Sequence, residues 1–361
     1  WSLLLSLSYF DAPQALEYGE RGLAIARELV AGPESSQEHL DLLALILMDL
    51  VVPLVGACQV DTAAEYASEA REIFEELGNL PMASTAAQRQ GVAYKAEGRF
   101  EQALEVYDWS TEIDLSIGND GGLVGSSLGL FDIYQFLGDL SAVNTRVELF
   151  RPIMVREERI PLPACELQPV VTYFQLGLLD KVLDSAGEVW QFKESQAAIW
   201  PDNFLCYLAR AHIRLGDLDA GRKALAAIDR EVDLNNYMLP LTANLPQARA
   251  ELALAAGEWQ TALTVVDDFV KKIRGHGLFS FLPEKLLLRA QILCAAGQPD
   301  AAYETLQEAR VLALEQGAWP VSWQICAQLA GMEETRGNEA EAQSITMDAR
   351  AALDVLAAHA G

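Results

Sequence analysis

Basic residues are scarce in this chain. Lys and Arg number 26 against 52 Asp and Glu, a formal net charge of −26 over 361 residues. A field of that sign repels phosphate backbones and anionic lipid surfaces, so neither direct nucleic-acid binding nor a membrane role is expected. Histidine is scarcer still, at four residues, and none lies at ligand spacing from the five cysteines, Cys58, Cys165, Cys206, Cys294 and Cys326. An odd, scattered cysteine count with no CxxC argues against a disulfide framework or a zinc site, and the five read as reduced core residues. HExxH, EF-hand and P-loop endings are missing too, so no catalytic residue, metal ligand or cofactor is assigned. No basic segment leads into a cleavage site near the start, which makes a cytoplasmic location the expectation. The longest apolar run extends from Leu42 to Cys58 and is broken by Asp49 and Pro53. It falls short of the roughly 20 uninterrupted apolar residues that a bilayer span wants, so a helix buried between neighbours is expected there.

Linkers are also lacking: no Ser-, Gly- or charge-rich stretch separates one part of the chain from another. What is present instead is a period. Gly98, Gly138, Gly177, Gly216, Gly257, Gly297 and Gly337 follow one another at nearly constant steps. Self-similarity at an interval of about 40 residues means one supersecondary unit stacked repeatedly, with room for about nine units. The expectation is therefore a single solenoid over 1–361, in which each unit packs on its neighbours along a quasi-one-dimensional core. The chain opens at Trp1 within an apolar run and is expected to be an excerpt of something longer, with irregular units over 1–60.

Around Gly98, the residues from Ala86 to Glu97 and from Phe100 to Ile117 are strong helix formers without proline, which makes each unit a helix hairpin. A second glycine series closes the second helices: Gly78 and Gly118 are one period apart, as are Gly277 and Gly317. Five places beyond the turn glycine stand Ala103, Val143, Val182, Gly221, Ala262, Ala302 and Ala342, mostly small residues that let paired helices approach. Ala302, Leu306, Ala309 and Ala313 form one apolar stripe, opposed by Glu304, Gln307 and Glu308. Asp139, Asp217 and Asp300 suit the positive end of the second helix.

In the third unit Gly91, Tyr94, Gly98, Ala103, Tyr107 and Ser110 fall in the order and spacing of the tetratricopeptide signature, and the unit resembles a tetratricopeptide repeat. The period is longer than the usual ~34. With the closing run Gly337-Asn338-Glu339-Ala340-Glu341-Ala342 and Ala349-Arg350-Ala351-Ala352-Leu353, the chain is similar to the tetratricopeptide-like C-terminal arms of bacterial multidomain signalling ATPases, LuxR-type activators and cyclase-fused relatives. That resemblance implies an all-α, right-handed superhelical solenoid of antiparallel hairpins. It also implies a sensor or docking role attached to an upstream nucleotide-binding switch.

Two motifs are set aside. Gly125-Ser126-Ser127-Leu128-Gly129 matches GxSxG, but no strand precedes it and it falls within a first helix, where tight packing is expected. Gly118 to Gly122 is glycine-rich without GK[ST] and reads as an inter-unit turn. Pro161, Pro163 and Pro169 crowd the first helix of the fifth unit and should shorten or kink it, with a change of superhelical pitch near 159–170.

First helices line the concave face of such a stack. Counting from the turn glycines, the inward polar positions are Thr85, Gln88, Lys95, Asp132, Gln135, Asn203, Arg210, Asn244, Gln247, Glu251 and Gln291. Amides and arginine there can satisfy a peptide backbone or sugar hydroxyls. The function expected is a non-catalytic binding scaffold, the sensor or docking arm of a bacterial signalling or transcription-regulatory protein, taking a protein, a peptide or a small inducer. A free-standing adaptor for complex assembly is the alternative. Replacing Arg210 and Gln247 with alanine is expected to abolish ligand response with helicity intact.

Overall fold

The computed structural model describes residues 12–157, 161–195, 200–229 and 243–360. Over them run α1 (Ala12–Ala31), α2 (Gln37–Gly56), α3 (Val60–Glu76), α4 (Leu80–Glu97), α5 (Phe100–Ile117), α6 (Asp120–Leu137) and α7 (Leu140–Glu157). Next come α8 (Leu162–Glu166), α9 (Gln168–Gln175), α10 (Leu179–Asp184), α11 (Ala186–Ser195), α12 (Trp200–Arg214) and α13 (Leu218–Ala226). The series closes with α14 (Asn244–Ala255), α15 (Trp259–Gly275), α16 (Leu282–Ala295), α17 (Pro299–Glu315), α18 (Trp319–Arg336) and α19 (Glu339–His359). There is no strand among the described residues. This is an all-α helical repeat, and the run Trp1 to Leu7 lies outside the described residues.

Both glycine series end helices. At all eleven positions φ lies between +62° and +86°, a region that costs a residue with a side chain about 1–2 kcal/mol. At Gly98 the motif is complete: Gly98 N donates to Lys95 O at 3.1 Å and Arg99 N to Tyr94 O at 2.9 Å, satisfying the last carbonyls of α4. One turn escaped the glycine count. Cys58, one period before Gly98, holds φ +61° and ends the α2 turn without a glycine. The second helices gain caps as well as dipole contacts, since Asp139 Oδ1 accepts from Ala142 N at 2.8 Å and Asp217 Oδ1 from Ala220 N at 3.0 Å. The prolines shorten the fifth unit's first helix as expected. It is split into α8 and α9, each with a proline in its first turn.

The chain divides into two compact units. Among the described residues, the first holds those up to Ile133 together with Arg274–Ser280; the second holds the rest, beginning at Tyr134. In the first unit α2 packs on α1, α3 and α4, burying Leu43, Leu47, Leu50, Val51 and Leu54. Each such side chain contributes about 1.5–3 kcal/mol. By length and composition α2, with 20 residues, is long enough to cross a membrane, which the interrupted run read from the sequence is not. Yet 67% of its apolar window is buried against neighbouring helices. The Tyr107 ring, 2% exposed, sits in a notch between Gly91 and Gly129. A Cβ at Gly91 would lie 2.5 Å from it, and one at Gly129 would fall on the ring. The GxSxG glycine thus serves close packing. Ser126 and Ser127 are fully buried and donate to Leu123 O and Val124 O of their own helix.

In the second unit the small residues Val143, Val182, Ala262, Ala302 and Ala342 are buried, as is Gly221. The α6–α7 turn meets the far end of the same unit. A Cβ built on Gly138 would stand 2.5 Å from Leu356 of α19 and 2.6 Å from Pro320 of α18. His359 Nδ1 lies 3.9 Å from Asp139 Oδ2 along the same seam. Of the five free cysteines, Cys165, Cys206 and Cys326 are core residues, whereas Cys58 and Cys294 are exposed, against the expectation that all five would be buried. Cys58 is exposed because it occupies a turn, where its thiol donates to Gly275 O at 2.8 Å.

Candidate functional site

A cavity of about 60 Å³ opens within the second unit, walled by side chains from α6, α9, α12, α14, α16 and α18. These are first helices of successive hairpins, together with the α9 piece. Phe136, Leu287, Leu288, Pro320 and Val321 give it an apolar wall. Its polar wall is built around one cation. Arg210 of α12 is fully buried and is not itself a lining residue. Its Nε donates to Glu251 Oε2 at 3.0 Å, and its Nη2 to Glu251 Oε1 at 2.8 Å and to Glu284 Oε1 at 2.5 Å. The guanidinium carbon also stands 4.4 Å from the Phe174 ring centre. Lys285 Nζ donates to the other oxygen of Glu284 at 3.1 Å.

Burial alone would push the Glu284 carboxyl up, but Arg210 and Lys285 outweigh it and hold its pKa well below the usual carboxylate range. Burial would likewise lower the Arg210 pKa, and the two carboxylates reverse this and raise it. Both groups are therefore charged. Glu251 and Glu284 are held from behind and cannot turn freely toward a ligand.

Three groups on the wall keep unused capacity. Gln247, 3% exposed, donates its Nε2 to Glu251 Oε1 at 3.1 Å, which fixes its amide orientation and leaves a buried Oε1 without a partner. Gln175 also lines the cavity with an unpartnered Oε1. Arg214 is exposed, with its guanidinium carbon 4.0 Å from the Phe174 ring centre; it makes no direct ion pair among the described residues, although Glu251 and Glu284 are near enough to favour its charge. Three cations, Arg210, Arg214 and Lys285, thus face two carboxylates, in a chain of net charge −26.

Of the eleven polar positions chosen from the sequence, Gln247, Glu251 and Gln291 line this cavity. Arg210 braces it. Asn203 and Asn244 are buried and share a network in which Asn244 Nδ2 donates to Asn203 Oδ1 at 3.1 Å and to the Tyr207 hydroxyl at 3.0 Å. Gln135 donates to Gln168 Oε1 at 2.6 Å. The other four belong to the first unit. Lys95 pairs with Asp132 at 2.5 Å, Thr85 donates to Pro81 O of its own helix, and Gln88 joins a polar cluster. In that cluster Gln88 Nε2 donates to Ser110 Oγ at 2.9 Å, and Ser84 Oγ donates to the buried Asp114 at 2.6 Å.

The lining residues that sequence reasoning missed carry a signal in the period. Asn203, Asn244, Glu284 and Gln324 follow one another one repeat at a time, and Gln175 lies one repeat after Gln135. Adding the period to residues already chosen finds Glu284, Gln324 and Gln175. Arg214 and Phe174 have no such mark. No group of three or more His, Cys, Asp or Glu residues able to hold a metal ion occurs among the described residues.

No protein-family model matches the chain, and no curated protein matches it. Among solved structures, the chain is similar to one described as the crystal structure of a Rap protein complexed with competence and sporulation factor. The TM-score is 0.61 at 14% identity, covering 99% of this chain and 97% of that one. A circular tandem repeat protein with novel repeat topology aligns over 97% of this chain and 91% of that chain, at 14% identity, with a TM-score of 0.27 that supports nothing further. At this identity the Rap likeness shows a shared fold: the chain is a tetratricopeptide-like helical repeat.

Proposed function

We propose that the chain is a non-catalytic scaffold that binds a peptide or an extended protein segment in the second unit's cavity. One observation carries the reading: Gln247, whose buried carbonyl oxygen has no partner, lines a cavity whose two carboxylates, Glu251 and Glu284, are braced by Arg210. An unmet buried acceptor costs about 1–3 kcal/mol, and a bound N–H group recovers it. The solved Rap protein was complexed with competence and sporulation factor, which agrees with a ligand-binding use of this kind of fold. In the fuller reading the chain is the sensor arm of a bacterial signalling or transcription-regulatory protein, cytoplasmic and one continuous repeat array. A free-standing adaptor would use the same cavity. A Walker A motif encoded upstream of Trp1 would favour the arm, and a start codon immediately before Trp1 would favour the adaptor.

The test is selection of displayed random heptapeptides against the purified chain. Binders should be recovered, and they should lose at least tenfold in affinity for Gln291→Trp, which fills the cavity from a half-buried position. Equal affinity for the filled variant, or no binders at all, contradicts the proposal.

A further inference from the structure

Helix α1 of the first unit leaves a row of apolar side chains open to solvent: Tyr18, Ile25 and Leu29 are 36%, 58% and 38% exposed. Among the described residues of that unit the other exposed large apolar side chains, Leu115, Ile117 and Phe279, form no such row. Steps of seven and four residues put all three on one side of α1, and Gly22 completes the stripe between Tyr18 and Ile25. This is not the side that holds α1 in the fold. Ala15, Leu23 and Ala26 do that, buried where α2 packs on α1. A Cβ on Gly22 would meet only Ile46 Cδ1 of α2, at 3.5 Å, so the glycine leaves a notch in the stripe. Contiguous apolar surface of this kind marks a site of association.

The stripe complements itself. Alternating steps of four and three residues, through 18, 22, 25 and 29, are the seam along which two helices coil. Laid antiparallel on a second copy, that seam sets Ile25 of each chain in the Gly22 notch of the other, and Tyr18 of each against Leu29 of the other. Each contact then occurs twice about a two-fold axis. A parallel pair would set notch against notch and leave a void, which close packing disfavours. Charge agrees with the antiparallel register. Arg21 and Glu28 are exposed on one flank of the stripe, and Arg21 is held within its own helix only by Glu17, at 3.8 Å between two largely exposed side chains. The register brings Arg21 of each chain beside Glu28 of the other. The opposite flank holds Gly19 and Ala26, buried residues too small to keep the two helices apart.

We infer that α1 is a self-association face, on which a second copy of this chain docks antiparallel through Tyr18, Gly22, Ile25 and Leu29, with Arg21 and Glu28 paired crosswise along one flank. One helix from each copy is a small face beside the ~1,200–2,000 Å² of a standing complex, so the dimer is weak and reversible. A net charge of −26 on each copy opposes it further, and salt screens that repulsion. The contact uses no residue of the cavity in the second unit.

Sedimentation velocity of the full chain, in about 0.15 M salt and from micromolar to several hundred micromolar protein, tests the inference. A monomer–dimer equilibrium is expected. Ile25→Asp, at an exposed site, should raise the dissociation constant at least tenfold. Gly22→Ala fills the notch with a better helix former, so its several-fold weakening of the dimer cannot come from a lost fold. Arg21→Glu and Glu28→Arg should each weaken the dimer about fivefold, and the two together in one chain should restore it. A chain that stays monomeric throughout overturns the inference, as does a dimer indifferent to both Ile25→Asp and Gly22→Ala. A dimer that the double charge exchange fails to restore overturns the antiparallel register and the inference with it.

Discussion

Arg210 shows how one residue can be picked correctly for place and misjudged for role. The period puts it on the inward face of α12, yet its guanidinium is fully buried and spends its bonds on Glu251 and Glu284. Arg210→Ala would leave two carboxylates without their principal counter-charge. The expected cost is about 3–5 kcal/mol in urea unfolding, so a lost ligand response in this variant would not by itself separate binding from stability. Gln247→Ala is the cleaner probe of binding, because it removes an acceptor that nothing in the protein uses at the loss of a single hydrogen bond, from Nε2 to Glu251. Glu284 gives the same cluster a pH signature. Its folded pKa is depressed, so the stability it contributes is present above the ordinary glutamate value of about 4.3 and is lost as the pH falls below it. Glu284→Gln should flatten that acid limb in urea midpoints measured between neutral and acid pH; an unchanged limb would mean the cluster is not coupled to folding. Asp114 has the opposite sign, because burial raises its pKa despite hydrogen bonds from Ser84 and Asn119, and ionising it costs stability as the pH rises. Neither sign is readable from sequence, which places a carboxylate on a helix face without saying what lies behind it.

The helices and their turns were the most legible level. Glycine at a fixed interval reports the left-handed turn directly, and the small residue five places on reports the close approach that follows. Cys58 was invisible to this count because a cysteine there accepts the same φ at a cost. Cys58→Val adds a β-branch to that strained backbone and should destabilise the chain by about 1–2 kcal/mol in thermal or urea unfolding. The seam at Gly138 was also hidden, since it joins residues from opposite ends of one unit's sequence. Two alanine variants separate its components. Gly257 has φ +81° and open space, so Gly257→Ala carries backbone strain alone, about 1–2 kcal/mol. Gly138→Ala has φ +76° and meets Leu356 and Pro320, which should add about 1–3 kcal/mol of overpacking. Equal costs for the two variants would mean that α18 and α19 do not close on the α6–α7 turn.

At the scale of the whole chain, a net charge of −26 sets a self-repulsion that salt screens. Raising ionic strength from about 0.01 to 0.15 M, which shortens the Debye length from about 30 to 8 Å, should raise Tm measurably; a falling Tm would mean that ion pairs such as Lys95–Asp132 and Arg310–Asp348 dominate instead. The local surplus of cations around Arg214 stands out against that background. Total composition gives no hint of it, because it arises from which first helices the fold brings to one cavity. Hydrogen exchange of the full chain, with and without a heptapeptide recovered by the selection, tests the binding role most directly. Protection should rise in the segments around 171–175, 210–214, 247–251, 284–291 and 320–324, with the second helices unchanged. Protection confined to other segments, or none at saturating peptide, would contradict a scaffold that binds through this cavity.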